Sequence, residues 1–192
     1  ASIPGSASKV YDGTPLTKNN HDDFTVTGVP EGLTWTATAD GTVTNVVPGV
    51  GEKAVNAVTS FHIFDSNTHD VTAYFTNIDT DSTGTLTILP KELTLTSGGK
   101  TREYNGLALT NDEVDGKNAN GLTVETGWID GEGANNYTFT GSQITVGKCV
   151  NAFSYTLKEN TTASNYHIVK TEDTLEITAN MAEITIVPGS GS

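Results

Sequence analysis

The chain contains an internal repeat, and this repeat constrains its fold more than any other feature. Lys9–Thr17 reads Lys-Val-Tyr-Asp-Gly-Thr-Pro-Leu-Thr, and Arg102–Thr110 reads Arg-Glu-Tyr-Asn-Gly-Leu-Ala-Leu-Thr. Further matches follow in the same order: Gly32-Leu33-Thr34 with Gly121-Leu122-Thr123, Val55-Asn56-Ala57 with Val150-Asn151-Ala152, and Thr85-Leu86-Thr87-Ile88 with Thr174-Leu175-Glu176-Ile177. Several matches in one order indicate two tandem repeats of roughly 90 residues each.

The boundaries of the repeat depend on one apolar strand that occurs twice. Glu92–Thr96 resembles Glu183–Val187. We expect this strand to end each repeat, because a terminal apolar strand without a partner would expose an aggregation-prone edge. The predicted organisation is leader or linker sequence over residues 1–8, repeat 1 over 9–96, a linker over 97–100, repeat 2 over 101–188 and a flexible tail over 189–192. The alternative is that the strand opens the following unit, which leaves repeat 1 without its own first strand.

Apolar residues alternate with polar ones in short runs, the pattern of half-buried β-strands. The runs predict about seven strands in each repeat. In repeat 1 they centre on 24–26, 33–37, 42–46, 55–63, 71–75, 86–88 and 93–95, and in repeat 2 on 122–124, 128, 137–139, 150–157, 166–168, 175–177 and 184–186. Turn dipeptides such as Asp40-Gly41 separate them. The sequence therefore predicts an all-β protein of two tandem immunoglobulin-like antiparallel β-sandwich domains.

Charge and composition exclude several classes of function. The chain has 23 Asp and Glu against 10 Lys and Arg, a formal net charge of -13. Such a chain lacks the clustered cations that bind phosphate, so we expect no nucleic-acid partner. It has no apolar run of about 18 residues, which predicts no membrane insertion. Cys149 is the only cysteine, so no disulfide can form within the chain.

Two motifs mark equivalent positions in the repeats. The first is Tyr11-Asp12-Gly13 and Tyr104-Asn105-Gly106, in which the glycine can take a positive φ at a turn. We expect both tyrosine rings to pack on the core. The second is Trp35 and Trp128, which lie at alternating strand positions. We expect the indoles to lie in the core, and an exposed indole could instead stack on a sugar ring.

These motifs resemble a known class of repeat. Tyr11–Thr17, Pro30–Thr34, Gly84–Ile88, Thr140–Gln143 and Asn151–Tyr155 together resemble the immunoglobulin-like (MBG-like) tandem repeats of large cell-wall-anchored surface proteins and adhesins of Gram-positive, often gut, bacteria. The resemblance covers nearly the whole chain. Repeat 1 departs from the pattern at Thr42–Gly51 and repeat 2 at Leu107-Ala108. The resemblance implies an extracellular, cell-surface location and a role in stalks or adhesive arrays, with neighbouring repeats of the same polypeptide as contacts.

The search for chemistry yields a few candidates and no catalytic constellation. No nucleophile motif lies near the four histidines, and Cys149 occupies a strand position where a small apolar residue would serve. Asp79 and Asp81 imitate the start of a calcium loop, although the closing glutamate is missing and a polar hairpin turn explains the same residues. An intramolecular isopeptide or ester bond is a further possibility for surface proteins. Its candidates are Lys9 and Lys100 as donors and Asn56 and Asn151 as acceptors.

Two hypotheses for function follow. The first is a non-enzymatic stalk or adhesive module. The second is a dedicated binding module for a host protein, such as immunoglobulin or another secreted glycoprotein, or for a glycan, recognised through loops or a strand edge. We expect no enzyme and no cofactor, because no acid, base and nucleophile converge in the pattern.

Overall fold

Short strands form almost all of the regular structure, and the abundance of threonine and valine favours them. The structure is a computed structural model that describes residues 1–191, and it is all-β and sandwich-like. The helical segments of the described residues are four short 3-10 turns, at His21–Asp23, Thr72–Tyr74, Asn111–Glu113 and Ala163–Asn165. None of these could cross a membrane, since each is far too short.

The chain forms two compact units. Unit 1 comprises Ala1–Lys91 together with Thr162–His167, and unit 2 comprises Glu92–Thr161 and the residues from Ile168 onward. The strands of unit 1 are β1 (Ser2–Ile3), β2 (Ala7–Val10), β3 (Thr25–Val26), β4 (Thr34–Ala39), β5 (Val55–Asn56), β6 (Val58–Phe64) and β7 (Gly84–Leu89).

Unit 1 contains three groups of paired strands. β1 pairs with β3 and β4 pairs with β6, both antiparallel. β7 lies between β2 and β5, and it is antiparallel to β5 but parallel to β2. Isolated bridges join Leu16 to Val43 and Thr42 to Lys53. The apolar core of the unit consists of Tyr11, Phe24, Ala39, Val43, Ile63, Leu86, Ile88 and Tyr166.

Unit 2 repeats this plan with additional strands. They are β8 (Lys91–Ser97), β9 (Lys100–Glu103), β10 (Leu109–Thr110), β11 (Val124–Thr126), β12 (Ala134–Phe139), β13 (Ser142–Gln143), β14 (Gly147–Val150), β15 (Phe153–Leu157), β16 (Tyr166–Glu172) and β17 (Thr174–Thr178). The first residue of β8 and the first two of β16 belong to unit 1. β8 lies between β11 and β16, and β17 lies between β14 and β9. β12 pairs with β15, and β10 with β13.

Each unit contains a parallel pair of strands, which corrects the prediction of purely antiparallel sheets. β2 is parallel to β7, and β9 is parallel to β17. Alternation reveals that a segment is a strand but not the direction of its partner, since the side-chain period is the same in both cases.

The predicted boundary between the repeats is also wrong. Glu92–Thr96 belongs to unit 2, because β8 pairs with β11 and its Leu93 and Leu95 are fully buried in that unit. In the structure this strand is paired within the unit that follows it. Residues 97–100 do not form a separate linker, since β8 runs to Ser97 and β9 begins at Lys100.

Residues at the two ends of the chain also differ from expectation. Residues 1–8, predicted as leader or linker, include β1 and the start of β2, and Ser2 is buried. The predicted strand at 184–186 has no partner strand in the described residues, and Ile184 and Ile186 are 85% and 88% exposed. An apolar run needs a neighbouring strand to become part of a sheet.

Three interior predictions fail for local reasons. Residues 42–46 make only isolated bridges, 71–75 contain the turn Thr72–Tyr74, and Trp128 lies outside any strand. The other interior runs overlap observed strands. The turn Thr72–Tyr74 follows Asp70, whose carboxylate accepts hydrogen bonds from both the backbone and the hydroxyl of Thr72. Such an Asx turn competes with strand pairing for the backbone.

Candidate functional site

The parallel strand pairs join the first part of each unit to its last strand. In unit 1, Ala7 lies opposite Leu86 and Val10 opposite Leu89, and the Tyr11 N–H continues the pairing with a 2.8 Å bond to the Leu89 carbonyl. Because the two strands of each pair are parallel, both begin at one end of the pair and both finish at the other end.

Unit 2 builds the same arrangement from different residues. Lys100 lies opposite Leu175 and Glu103 opposite Thr178, and the Tyr104 N–H donates a 2.8 Å bond to the Thr178 carbonyl. Tyr11 and Tyr104 therefore have equivalent backbone roles at the end of each pair.

A cation closes the turn that follows the parallel pair in unit 1. Lys9 Nζ lies 2.9 Å from Asp12 Oδ1 and 2.7 Å from Thr14 Oγ1. Asp12 also accepts bonds from the backbone and hydroxyl of Thr14. These hydrogen bonds lower the pKa of Asp12 to about 2, and the bond from Lys9 has the largest effect. Gly13 provides the positive φ of 78° that the turn requires.

Arg102 closes the corresponding turn in unit 2, where the side-chain amide of Asn105 replaces the carboxylate of Asp12. Its Nη1 lies 2.9 Å from Asn105 Oδ1, and its Nη2 lies 2.9 Å from the Leu107 carbonyl. The Asn105 side chain in turn accepts from the Leu107 N–H at 2.9 Å. The repeated motif of a cation followed by Tyr-Asp/Asn-Gly is thus a self-contained turn at the end of a strand.

A buried asparagine connects three segments of unit 1. Asn56 is fully buried, and its Nδ2 donates to the carbonyls of Gly5 at 3.1 Å and Lys18 at 2.9 Å. Its Oδ1 accepts from the Gly41 N–H at 2.9 Å. The close approach requires glycine, because a Cβ at Gly41 would come within 2.7 Å of Asn56 Oδ1.

Asn151 is the equivalent residue of unit 2. It is fully buried and donates at 2.8 Å both to the Gly98 carbonyl and to Asn111 Oδ1. Its Oδ1 has no hydrogen-bond partner within residues 1–191. We call Asn56 and Asn151 the bridging asparagines, because each ties the segment before a parallel pair to the interior of its unit.

The two tyrosine markers have different surroundings. Tyr11 is buried and contacts Tyr166 edge to face, with ring centroids 5.6 Å apart. Tyr104 is 42% exposed, so the expectation that both rings pack in the core is wrong for Tyr104. The shared feature is the backbone position and the turn that follows it.

Both tryptophans are half-buried and already have aromatic or polar partners. Trp35 stacks on the exposed His21, with ring centroids 3.9 Å apart, and also contacts Phe24 and Phe61. Trp128 donates from Nε1 to Glu125 Oε1 at 3.1 Å. The His21 ring covers one face of the Trp35 indole, whereas the Trp128 bond is made from the edge of its ring.

Glu125 is the centre of a polar cluster that sequence reasoning missed. Its Oε2 accepts from Asn118 and Asn120, and its Oε1 from Trp128 and Tyr137, at 2.8 to 3.1 Å. Burial raises the pKa of Glu125, but the four hydrogen bonds outweigh it and hold the pKa below its usual value. Burial, and then the bond to Glu125, raise the pKa of Tyr137. The carboxylate is satisfied by these donors, so the cluster ties the segment 118–128, which contains β11, to Tyr137 on β12.

The metal and nucleophile candidates do not come together. Asp79 Oδ1 accepts from the Asp81 N–H at 3.0 Å, the geometry of a polar turn. Residues 1–191 contain no group of three or more His, Cys, Asp or Glu side chains suited to hold a metal ion. Cys149 lies on β14 and packs against the core residues Leu109, Val114, Leu175 and Ile177.

The residues considered for an isopeptide bond have other hydrogen-bond partners. Lys9 bonds to Asp12, and Lys100 bonds to Asp115 at 2.9 Å. The bridging asparagines instead use their amides on backbone carbonyls and on Asn111. The lysine ammonium groups are therefore paired with carboxylates and not with these asparagine side chains.

Comparisons with known proteins add no assignment. No family model, no curated protein and no solved structure matches the chain.

Proposed function

We propose that the chain is a load-bearing segment of an extracellular bacterial surface protein, made of two immunoglobulin-like units that space or present adhesive regions without catalysing a reaction. The single observation that supports this proposal is the parallel strand pair in each unit. The resemblance of the repeats to those of Gram-positive surface proteins supports the cellular setting.

The geometry of the pairs explains why they resist tension. Tension along the chain pulls the start of β9 towards the N-terminus and the end of β17 towards the C-terminus. Lys100 and Thr178 lie at opposite ends of the pair. The hydrogen bonds between the strands are therefore loaded in shear, and they must break together rather than one after another.

The same reasoning applies to unit 1, where Ala7 and Leu89 lie at opposite ends of the pair. The cation-closed turns and the bridging asparagines fix the segments on either side of each pair. Each unit therefore combines a shear-loaded pair with anchors at both ends, and it does so without a disulfide, since Cys149 is the only cysteine.

Single-molecule pulling in two directions tests the proposal. Handles are attached to unit 2 through Thr101→Cys with Ala179→Cys, at opposite ends of the pair, or through Thr101→Cys with Thr174→Cys, at the same end. Cys149→Ser is present in both. The proposal predicts a higher unfolding force for the first attachment, because the second peels the strands apart. Equal forces would contradict it.

A further inference from the structure

The chain contains two Asn-Gly dipeptides, Asn105-Gly106 and Asn120-Gly121, and both asparagines are exposed. In such a dipeptide the backbone nitrogen of the glycine can attack the side-chain amide carbon of the asparagine, because the glycine has no Cβ to hinder the approach. The attack needs a nitrogen that is free to react and an amide group that is free to leave. Exposure does not distinguish the two asparagines, but their hydrogen bonds do.

The reacting groups of Asn120-Gly121 are occupied. The Gly121 N–H donates to the Asn118 carbonyl at 3.0 Å, so its nitrogen is held in a turn. Asn120 Nδ2 donates to Glu125 Oε2 at 2.9 Å, so the group that would have to leave is bound to a carboxylate. Both bonds must break before this side chain can react. The fold therefore protects Asn120.

The corresponding groups of Asn105-Gly106 are unoccupied. Neither the Gly106 N–H nor Asn105 Nδ2 donates a hydrogen bond within residues 1–191. The bonds of this side chain fall instead on Oδ1, which accepts from Arg102 Nη1 and from the Leu107 N–H, each at 2.9 Å. A guanidinium on this oxygen makes Cγ more electrophilic and stabilises the negative charge that develops on Oδ1 during attack. The turn thus leaves the nucleophile and the leaving group free and polarises the carbon between them.

Unit 1 already carries a carboxylate at the equivalent position. Asp12 stands where unit 2 has Asn105, and Lys9 stands where unit 2 has Arg102. Asp12 Oδ1 accepts from Lys9 Nζ and from the Thr14 N–H, each at 2.9 Å, which are the same two kinds of bond that Asn105 Oδ1 accepts. A carboxylate at residue 105 therefore fits this turn, and the bond from Arg102 becomes a charge-assisted pair.

We propose that Asn105 is a self-modification site, at which the folded chain converts the side-chain amide to a carboxylate without an enzyme. The Gly106 nitrogen gives its proton to solvent and bonds to Asn105 Cγ. The Cγ–Nδ2 bond breaks, and Nδ2 leaves as ammonia. Water then adds at Cγ and breaks the new Cγ–N bond, which restores the backbone and leaves aspartate beside Arg102. The net reaction consumes one water, releases ammonium and makes the chain more negative by one charge.

Peptide mass mapping of the folded chain after prolonged incubation at neutral pH tests the proposal, because trypsin separates the two dipeptides. Asn105 falls in Glu103–Lys117 and Asn120 in Asn118–Lys148. Each conversion adds about 1 Da. Glu103–Lys117 should gain this mass at least about tenfold faster than Asn118–Lys148, since a hydrogen bond that must first break slows a reaction by about that factor. In denaturant the two peptides should gain it at similar rates.

Variants at the turn assign the reaction to named groups. Asn105→Gln should stop the mass gain, because attack on the longer side chain requires a larger ring. Arg102→Met should slow the gain by about tenfold, the effect of losing one charge-assisted bond, with the site then in Thr101–Lys117. Arg102→Lys places the residue of Lys9 at this turn and should restore most of the rate. Asn105→Asp should be at least as stable as the parent chain in denaturant at neutral pH.

Several results would overturn the proposal. They are a folded chain in which Glu103–Lys117 gains no mass, equal rates of gain in the two peptides of the folded chain, and a gain in Asn105→Gln as fast as in the parent. An unchanged or faster gain in Arg102→Met would contradict the polarising role of Arg102. A loss of stability in Asn105→Asp would contradict the fit of a carboxylate in this turn.

Discussion

Asn151 donates a 2.8 Å hydrogen bond to the carbonyl oxygen of Gly98, although the two residues are far apart in sequence. The bond holds the segment between β8 and β9 against the interior of unit 2. Asn56 makes the corresponding bond to Gly5 in unit 1. The two units therefore share an internal polar connection as well as a sequence pattern, and the following predictions concern this connection and its neighbours.

Asn151→Ala should destabilise unit 2 by about 1–3 kcal/mol, because the buried Gly98 carbonyl and Asn111 Oδ1 lose their donor. Denaturant unfolding followed by tryptophan fluorescence measures this. Each unit contains one tryptophan, so a Trp35→Phe background reports unit 2 alone. Asn135→Ala, at an exposed position on β12 of the same unit, is the control and should have little effect. An equal loss in both variants would contradict the prediction.

Gly41→Ala should destabilise unit 1 by about 1–3 kcal/mol, because the added Cβ would lie 2.7 Å from Asn56 Oδ1 and 2.8 Å from Leu86 Cδ1. Gly49→Ala is a matched control, since no atom lies within 4 Å of that Cβ position. Fluorescence of Trp35 in a Trp128→Phe background gives the free energy of unfolding. An unchanged value for Gly41→Ala would show that the close approach is not required.

Tyr137→Phe should raise the pKa of Glu125, because the carboxylate loses one of its four donors. It should also lower the free energy of unfolding by about 1.5–3 kcal/mol, the usual contribution of a hydrogen bond to a charged group. Tyr155→Phe is the control, since its hydroxyl is not one of the four donors. NMR titration of the Glu125 carboxyl measures the pKa. The same pKa in Tyr137→Phe and Tyr155→Phe would contradict the role of Tyr137 as a donor to Glu125.

Lys9→Met should raise the pKa of Asp12 from about 2 towards its ordinary value of 3.8, because the Lys9 hydrogen bond is the largest cause of the shift. The depressed pKa has a defined sign for stability. The contribution of the carboxylate is fully present above pH 3.8 and is lost as the pH falls through about 2.

NMR titration of the Asp12 carboxyl checks this expectation, with Lys158→Met as a control that changes a lysine outside the turn. A pKa that stays near 2 after Lys9→Met would assign the shift to Thr14 alone, whose backbone and hydroxyl also bond to Asp12.

The sequence was sufficient to predict the all-β, sandwich-like class and the markers of the repeat. The alternation of apolar and polar residues located most strands, and Tyr11-Asp12-Gly13 and Tyr104-Asn105-Gly106 mark the same turn in both units. These features depend on residues that are close in sequence, so local physical rules capture them.

The boundary at Glu92 and the Glu125 cluster could not be obtained in this way. Glu92–Thr96 has an equally good strand pattern in either unit, and only its pairing with Val124–Thr126 decides between them. Glu125 has no counterpart in repeat 1, where Val26 takes the equivalent place opposite the first strand, so the repeat gave no signal for it.

A proline at the end of the unit 2 parallel pair tests the central claim most directly. Tyr104→Pro removes the N–H that bonds to the Thr178 carbonyl, whereas Tyr104→Ala removes the half-exposed ring and keeps that N–H. The whole chain is pulled from its two ends, and the unfolding event of unit 1 serves as an internal reference. The load-bearing account predicts a lower unfolding force for unit 2 in Tyr104→Pro than in Tyr104→Ala, with the unit 1 event unchanged. Equal forces for the two variants would contradict it.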